Sequence, residues 1–508
     1  MGLTEVPEKG SKAVSVWFAT GRDQSQIWRS MVDSDDGFTN TYNTAVELKL
    51  VTGGTLLPSI LSGNGPDVYM GLSSSDVINY AIRSAVFGVN GKDVKSFGED
   101  VDTNENVIFR STVWQNESGN RVFEEKLDNG TVIYRKQVGD KFTTLSEAEI
   151  VAFQQDSTYK KVSDPFSVVT DKTIFAEKAV DTLELLDVYY GVPNTMNFAM
   201  MFYRMDVLAQ LGLEVPESWN ELISMLSELQ TKNMSIGVAY ISALDFMMYQ
   251  MGGNMWKYTD STVYDSHWAG SKIDLDSPIA IEAFDFVCRL YTDYSLPVSY
   301  DAANRFRTGE MPIVIGSYES IYNTLVVYAT EIEGRWEFCP PPGSETTDPE
   351  DEDGFNYDSL ATVSATVILN GCDDLLTAWQ FVQWQTSASV QAEYGNRIVA
   401  LIGPAAKYET ANIQAINDMS WTAREKAAIM DQMDNLNAIK NYPGSYIYAR
   451  YMKFAFLDAY NNGADPYEAM MSYIPAINDE IARKRKEFGL PTAETEEQAR
   501  GEYTGEEN

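Results

Sequence analysis

Residues 53–76, GGTLLPSILSGNGPDVYMGLSSSD, constrain the fold more than any other stretch. The run before them, AVELKLV ending at Val51, is branched and half-alternating as strands are, and Gly53-Gly54 ends it. Leu56-Leu57 and Ile60-Leu61 fall at helical spacing. Pro58 is tolerated in a first turn, where its missing N–H would have had no partner. Gly63-Asn64-Gly65-Pro66 stops that helix, and Asp67–Leu72 is a short apolar run suited to a buried parallel strand. Ser73, Ser74, Ser75 and Asp76 then end the strand and are good caps for a helix beginning VINYAI. They lie at the carboxyl edge of a parallel sheet, where open α/β sheets bind ligands.

The rest of the chain extends this pattern. Ala13–Phe18 reads as the first strand, and the loop Ala19-Thr20-Gly21-Arg22-Asp23 after it meets the same sheet edge. Ser218 with Glu221 predicts a capping box, and Trp219, Leu222, Ile223, Leu226 and Leu229 give the following helix one apolar face. Pro278–Tyr291 repeats the pattern, and a third helix runs through Ala378, Phe381 and Val382. Strands alternating with helices of this length argue for α/β sheets. A chain of 508 residues is too long for one core and predicts two or more domains. Between Val101 and Val138 the texture changes to alternation broken by turns, predicting three meander strands at 106–114, 121–127 and 131–138. A helix over 145–155 follows. This stretch reads either as surface decoration or as a lip touching a ligand or partner. Residues 1–12 and 491–508 read as loose ends.

The net charge of −36 disfavours nucleic acid and anionic membrane surfaces as partners. Cys288, Cys339 and Cys372 are widely spaced, indicating neither a disulfide scaffold nor a zinc site. The lone histidine, His267, has no G-x-S-x-G nearby and reads as a loop residue, so no catalytic triad is expected. No phosphate-binding glycine loop is present, and among the many acids no spacing singles out a pair for glycoside cleavage. The acidic run to Asp353 only half matches a calcium loop, since Pro349 and Leu360 occupy ligand positions. Neither a catalytic site, a metal nor a cofactor is therefore expected.

The stretch G-x-LLP-x-I-L-x-G-x-GPDV with NYA-x-R resembles the extracellular solute-binding proteins of ABC importers (family 1, carbohydrate type, like maltose-binding protein). MMFYR at 200–204, VPESW at 215–219, NRFRTGEMPI at 304–313 and GPAA at 403–406 recur in the family's order. The resemblance implies a two-lobed periplasmic-binding-protein-like clamshell (type II) with discontinuous lobes and about three crossover segments. One lobe would take 13–196 and 312–366, with an insertion at about 100–170, and the other 197–311 and 367–490. It further implies a monomer, extracellular and anchored as a bacterial lipoprotein. Met1-Gly2-Leu3-Thr4 carries neither a basic nor an apolar export region, so that segment would precede this sequence.

Sugars offer hydroxyl edges, which need paired donors and acceptors, and C–H faces, which lie flat on aromatic rings. The positions matching family cleft segments are Arg22, Asp23, Ser73, Ser74, Ser75, Asp76, Asn194, Met196, Asn254, Asn304, Arg305, Tyr318, Tyr322, Trp336, Thr362, Ser364, Arg397, Tyr448 and Arg450. Each has a plainer alternative: an aromatic in the core, a helix cap, or Arg305 paired with Glu310. The implied function is capture of a carbohydrate, favouring an oligosaccharide, for delivery to a membrane permease. A sugar-sensing clamshell feeding a signalling partner, or a carbohydrate-active enzyme, are the alternatives.

Overall fold

The structure is a computed structural model that describes residues 13–89, 107–116, 118, 120–127, 132–138, 141–162, 174–185, 188–257, 269–346 and 354–493. His267, most of the acidic loop before Gly354, residues 1–12 and nearly all of the acidic tail lie outside the described residues.

The chain divides into two compact units. The first runs to Asn194 and returns with Ser364–Tyr394 and Asn412–Ile416; the second takes Thr195–Val363, Gly395–Ala411 and the chain from Asn417. Each is built on its own sheet.

In the first unit the strand order is Val192–Asn197, Thr362–Ile368, Val68–Ser73, Ala13–Phe18, Ala45–Leu50. The last three are parallel, as the opening motif predicts, with Val16 opposite both Leu48 and Val68. Val68 and its neighbour Tyr69, which point to opposite faces, are both buried, consistent with a sheet covered on both faces. Thr362–Ile368 runs antiparallel to Val68–Ser73, and the register slips by one residue at Gly71. Gly71 has φ 82°, a conformation that favours glycine. The helix Arg22–Val32 buries Trp28, which stacks on Tyr394 at 4.3 Å. Phe38 packs edge-on against Phe381 at 5.3 Å, and Thr366 donates to Gln385 at 2.7 Å.

These contacts correct the expected lobe boundaries. Residues 367–394 belong to the first unit, because the helix Leu375–Thr386 supplies its core. Residues 312–363 belong to the second, because Ile313–Ser317 pairs there with Ala199–Arg204.

The insertion is an antiparallel sheet in the order Lys141–Thr144, Val132–Val138, Arg121–Leu127, Val107–Gln115, Lys160–Val162. The three predicted strands are present; the two outer ones, four and three residues long, are too short to show alternation. The helix Glu147–Gln155 begins with a Ser146–Glu149 capping box, and its Phe153 meets Trp114 edge-on at 5.1 Å.

The second unit's sheet has the order Ile236–Val238, Ile313–Ser317, Ala199–Arg204, Trp336–Cys339. The first pair is parallel and the others antiparallel. Long helices surround it, among them Trp219–Thr231, Tyr240–Gln250, Pro278–Thr292, Tyr448–Asn462 and Pro466–Glu487. Ser218 caps its helix by accepting from the Glu221 N–H at 3.2 Å. The Glu221 carboxylate accepts from the Glu217 N–H instead of Ser218's own, so the predicted box is half formed. Met225 rather than Ile223 completes the buried face.

Candidate functional site

Each sheet gathers polar groups at one edge. In the first unit Phe18 stands opposite Met70, so the chain leaving both parallel strands opens on the same side. There the Ser73 hydroxyl accepts from the Asp76 N–H at 3.2 Å and donates to the Asp76 carboxylate at 2.9 Å, with the Ser75 hydroxyl 3.2 Å away. Ser73, Ser75 and Asp76 are exposed and Ser74 is half-buried. Ser364 faces Ser73 across the antiparallel pair. Arg22 and Asp23, expected in a loop, form the first turn of the helix Arg22–Val32. Gln24 reaches back to the Gly21 N–H at 2.6 Å and fixes that turn. Both charged side chains stay exposed at the same edge. The structure thus brings together Arg22, Asp23, Ser73–Asp76 and Ser364.

In the second unit Ala199 lies opposite Ser317, which places the start of one strand beside the end of the other. Asn197 organises this edge. Its amide donates to the Ser317 hydroxyl at 2.8 Å and accepts from the Glu319 N–H at 3.2 Å, while its carbonyl accepts from Thr362 at 3.4 Å. Ser359 binds both the N–H and the C=O of Ala199, at 3.1 and 3.2 Å.

Several expected site residues are spent in the interior. Met196 is 1% exposed, and Tyr318, 2% exposed, stacks on Phe198 at 5.6 Å. Asn194 is buried and accepts from Gln385 at 2.9 Å. Strand alternation explains this: Asn194 and Met196 share the inward face of Val192–Asn197, and Asn197 takes the other. Tyr322 is also buried, donating to Glu425 at 2.8 Å. Lys407 reaches the same carboxylate at 2.9 Å and lies 4.2 Å from the Trp421 ring. Burial lowers the Lys407 pKa, with Glu425 opposing. Burial alone would raise Glu425, but the Thr422 N–H and Lys407 hold it below the usual range. Trp336 is half-buried against Phe202 and Tyr322.

Asn304 and Arg305 lie at the opposite edge. Their helix, Ala302–Thr308, precedes Ile313, and Arg204 at the far end of its strand donates to the Phe306 and Arg307 carbonyls at 3.0 Å. A strand of five or six residues separates the two edges by roughly 17 Å. Arg305 instead pairs with Glu310 at 3.3 Å, the plainer of its two readings. Thr362 is exposed beside Asn197, Arg397 is half-buried in the helix Ala388–Ile402, and Arg450 is exposed. Asn254 accepts from the Trp256 N–H at 3.0 Å and holds a turn. Tyr448 donates to Asp245 at 3.0 Å.

Asn197 and Asp245 are not among the residues expected from the sequence. Strand parity could have found Asn197, since it alternates with Met196; an acid in the apolar helix YISALDFMMYQ is the signal for Asp245. Glu409 also escaped notice: burial pushes its carboxyl well above the usual range, and Glu319 adds to the effect.

Residues 142–392 match the family described as bacterial extracellular solute-binding protein. That stretch, residues 142–392, belongs to the bacterial extracellular solute-binding proteins. Among curated proteins this solute-binding protein is similar to a putative ABC transporter periplasmic-binding protein, YcjN, of Escherichia coli K12. The two are 29% identical over 148 residues, 28% of this chain and 32% of the relative. The match therefore spans about a third of the relative's length. Among solved structures, the sugar-binding protein MalE of Xanthomonas citri superposes with a TM-score of 0.64 at 14% identity, covering 94% of this chain and 100% of that one. The maltose-binding MalE of Listeria monocytogenes, solved with maltose, gives 0.61 at 13% identity, covering 94% and 99%. At such identities the likeness shows the fold, the two-lobed α/β fold expected from the sequence. No described helix of this solute-binding protein is long and apolar enough to cross a membrane.

Proposed function

We propose that this solute-binding protein is the cargo-capturing subunit of an ABC importer and that its cargo is a carbohydrate, an oligosaccharide. The observation carrying this reading is the pair of polar sheet edges. Ser73–Asp76, Arg22, Asp23 and Ser364 on one unit, and Asn197, Ser317 and Thr362 on the other, offer the mixed donors and acceptors that sugar hydroxyls require. Maltose-binding relatives of the same fold and the importer relative support the cargo class and the delivery step. Binding is non-covalent and leaves the sugar intact. The protein acts as a monomer, is held outside the cell as a lipoprotein, and passes its ligand to permease subunits.

Calorimetry of the intact protein against linear and cyclic oligosaccharides tests the reading. One glycan family binds, and Asp76→Ala weakens it at least tenfold. Absence of heat with every sugar, alongside binding of amino acids or peptides, overturns the carbohydrate assignment.

A further inference from the structure

The second unit has a small pocket among three helices, Tyr240–Gln250, Pro278–Thr292 and Tyr448–Asn462, walled by Asp245, Phe284, Val287, Tyr448, Met452 and Phe456. Its free volume is about 10 Å³, room for one water-sized group. Among the described residues, the Asp245 carboxylate has one hydrogen-bond partner, the neutral Tyr448 hydroxyl at 3.0 Å. Resting on the carbohydrate-capture reading, we propose that this pocket takes the protonated amino group of an amino-sugar cargo and pairs it with Asp245.

Charge and size both favour an ammonium group here. A carboxylate buried among apolar side chains is costly unless a cation meets it. Burial raises Asp245 to about 7, the Tyr448 hydroxyl pulling the other way. The titratable groups facing it are Tyr249, Tyr448 and Lys453. Burial raises both tyrosines, and the negative charge of Asp245 adds to each shift. Lys453 stands exposed at the rim and makes no ion pair with Asp245. A neutral hydroxyl would fill the space but leave the charge uncompensated; a charge-assisted bond from an ammonium is about twice as strong. The net charge of −36 also draws cationic solutes toward the protein.

The test is calorimetry at pH 7 on the full chain, using a trisaccharide of glucosamine, its fully N-acetylated form and maltotriose. The expected result is at least tenfold tighter binding of the free amine than of the acetylated form, with Asp245→Asn bringing the two affinities together. In the wild-type protein, lowering the pH to 5 should shrink the preference as Asp245 takes up a proton. Circular dichroism of Asp245→Asn checks that the fold is kept. Equal affinities in the wild type, or a preference that survives both Asp245→Asn and pH 5, overturns the proposal. Binding of none of the three sugars, or of the neutral sugars alone, overturns the amino-group assignment; the carbohydrate reading falls with it only if the wider oligosaccharide panel also fails to bind.

Discussion

The Tyr448 hydroxyl donates to the Asp245 carboxylate at 3.0 Å, tying the helix Tyr448–Asn462 to Tyr240–Gln250. Burial holds Asp245 at about 7, above its unfolded value, so the folded protein binds the extra proton. The stability this contributes is fully present below about pH 4 and is lost as the pH rises through about 7. In the ligand-free protein Asp245→Asn should flatten that slope. Its melting temperature relative to wild type should rise between pH 4 and 8, and a constant difference across that range would contradict the shift.

Tyr318 illustrates a second consequence. Its hydroxyl is buried with no hydrogen-bond partner among the described residues, while its ring stacks on those of Phe198 and Phe202. Tyr318→Phe should leave stability unchanged or raise it by about 1 kcal/mol, and should leave sugar affinity unaltered. A tenfold loss of affinity would return Tyr318 to the binding site.

Lys407 and Glu425 form an ion pair with side chains only 8% and 19% exposed. Removing one partner strands the other, so Lys407→Met should destabilise by about 3 kcal/mol in urea unfolding. The double variant Lys407→Met, Glu425→Gln should regain part of that loss. Strict additivity of the two single changes would show that the pair is not coupled.

Asn197 joins its strand to the start of the helix Tyr318–Tyr328 through Ser317 and the Glu319 N–H. Asn197→Ala should cost about 1–2 kcal/mol and weaken oligosaccharide binding, because the edge loses both its cap and its alignment. Unchanged affinity with lowered stability would confine Asn197 to a structural role.

The motif at residues 53–76 was legible because its signals are local: branched strands, helix-stopping glycines and a serine cap all act within a few residues. Unit membership was less legible. Residues 312–363 and 367–394 are assigned by long-range pairings, Ile315 with Met201 and Trp28 with Tyr394, which no local pattern announces. The serine cluster and Ser364 lie at the expected edge because strand direction fixes it. The burial of Met196 and Asn194 was not legible, because one residue of parity moves a side chain from surface to core. Nor was the burial of Tyr318 and Tyr322, because an aromatic's sequence neighbours do not reveal which rings will surround it.

The central claim is tested most directly by melting the full chain against a panel of oligosaccharides and recovering each sugar afterwards. A ligand that binds only the folded state at a hundredfold excess over Kd stabilises it by about 2.7 kcal/mol, a rise of several degrees. One glycan family should give such a rise and be recovered uncleaved. No shift with any sugar, or recovery of shortened products, would contradict it.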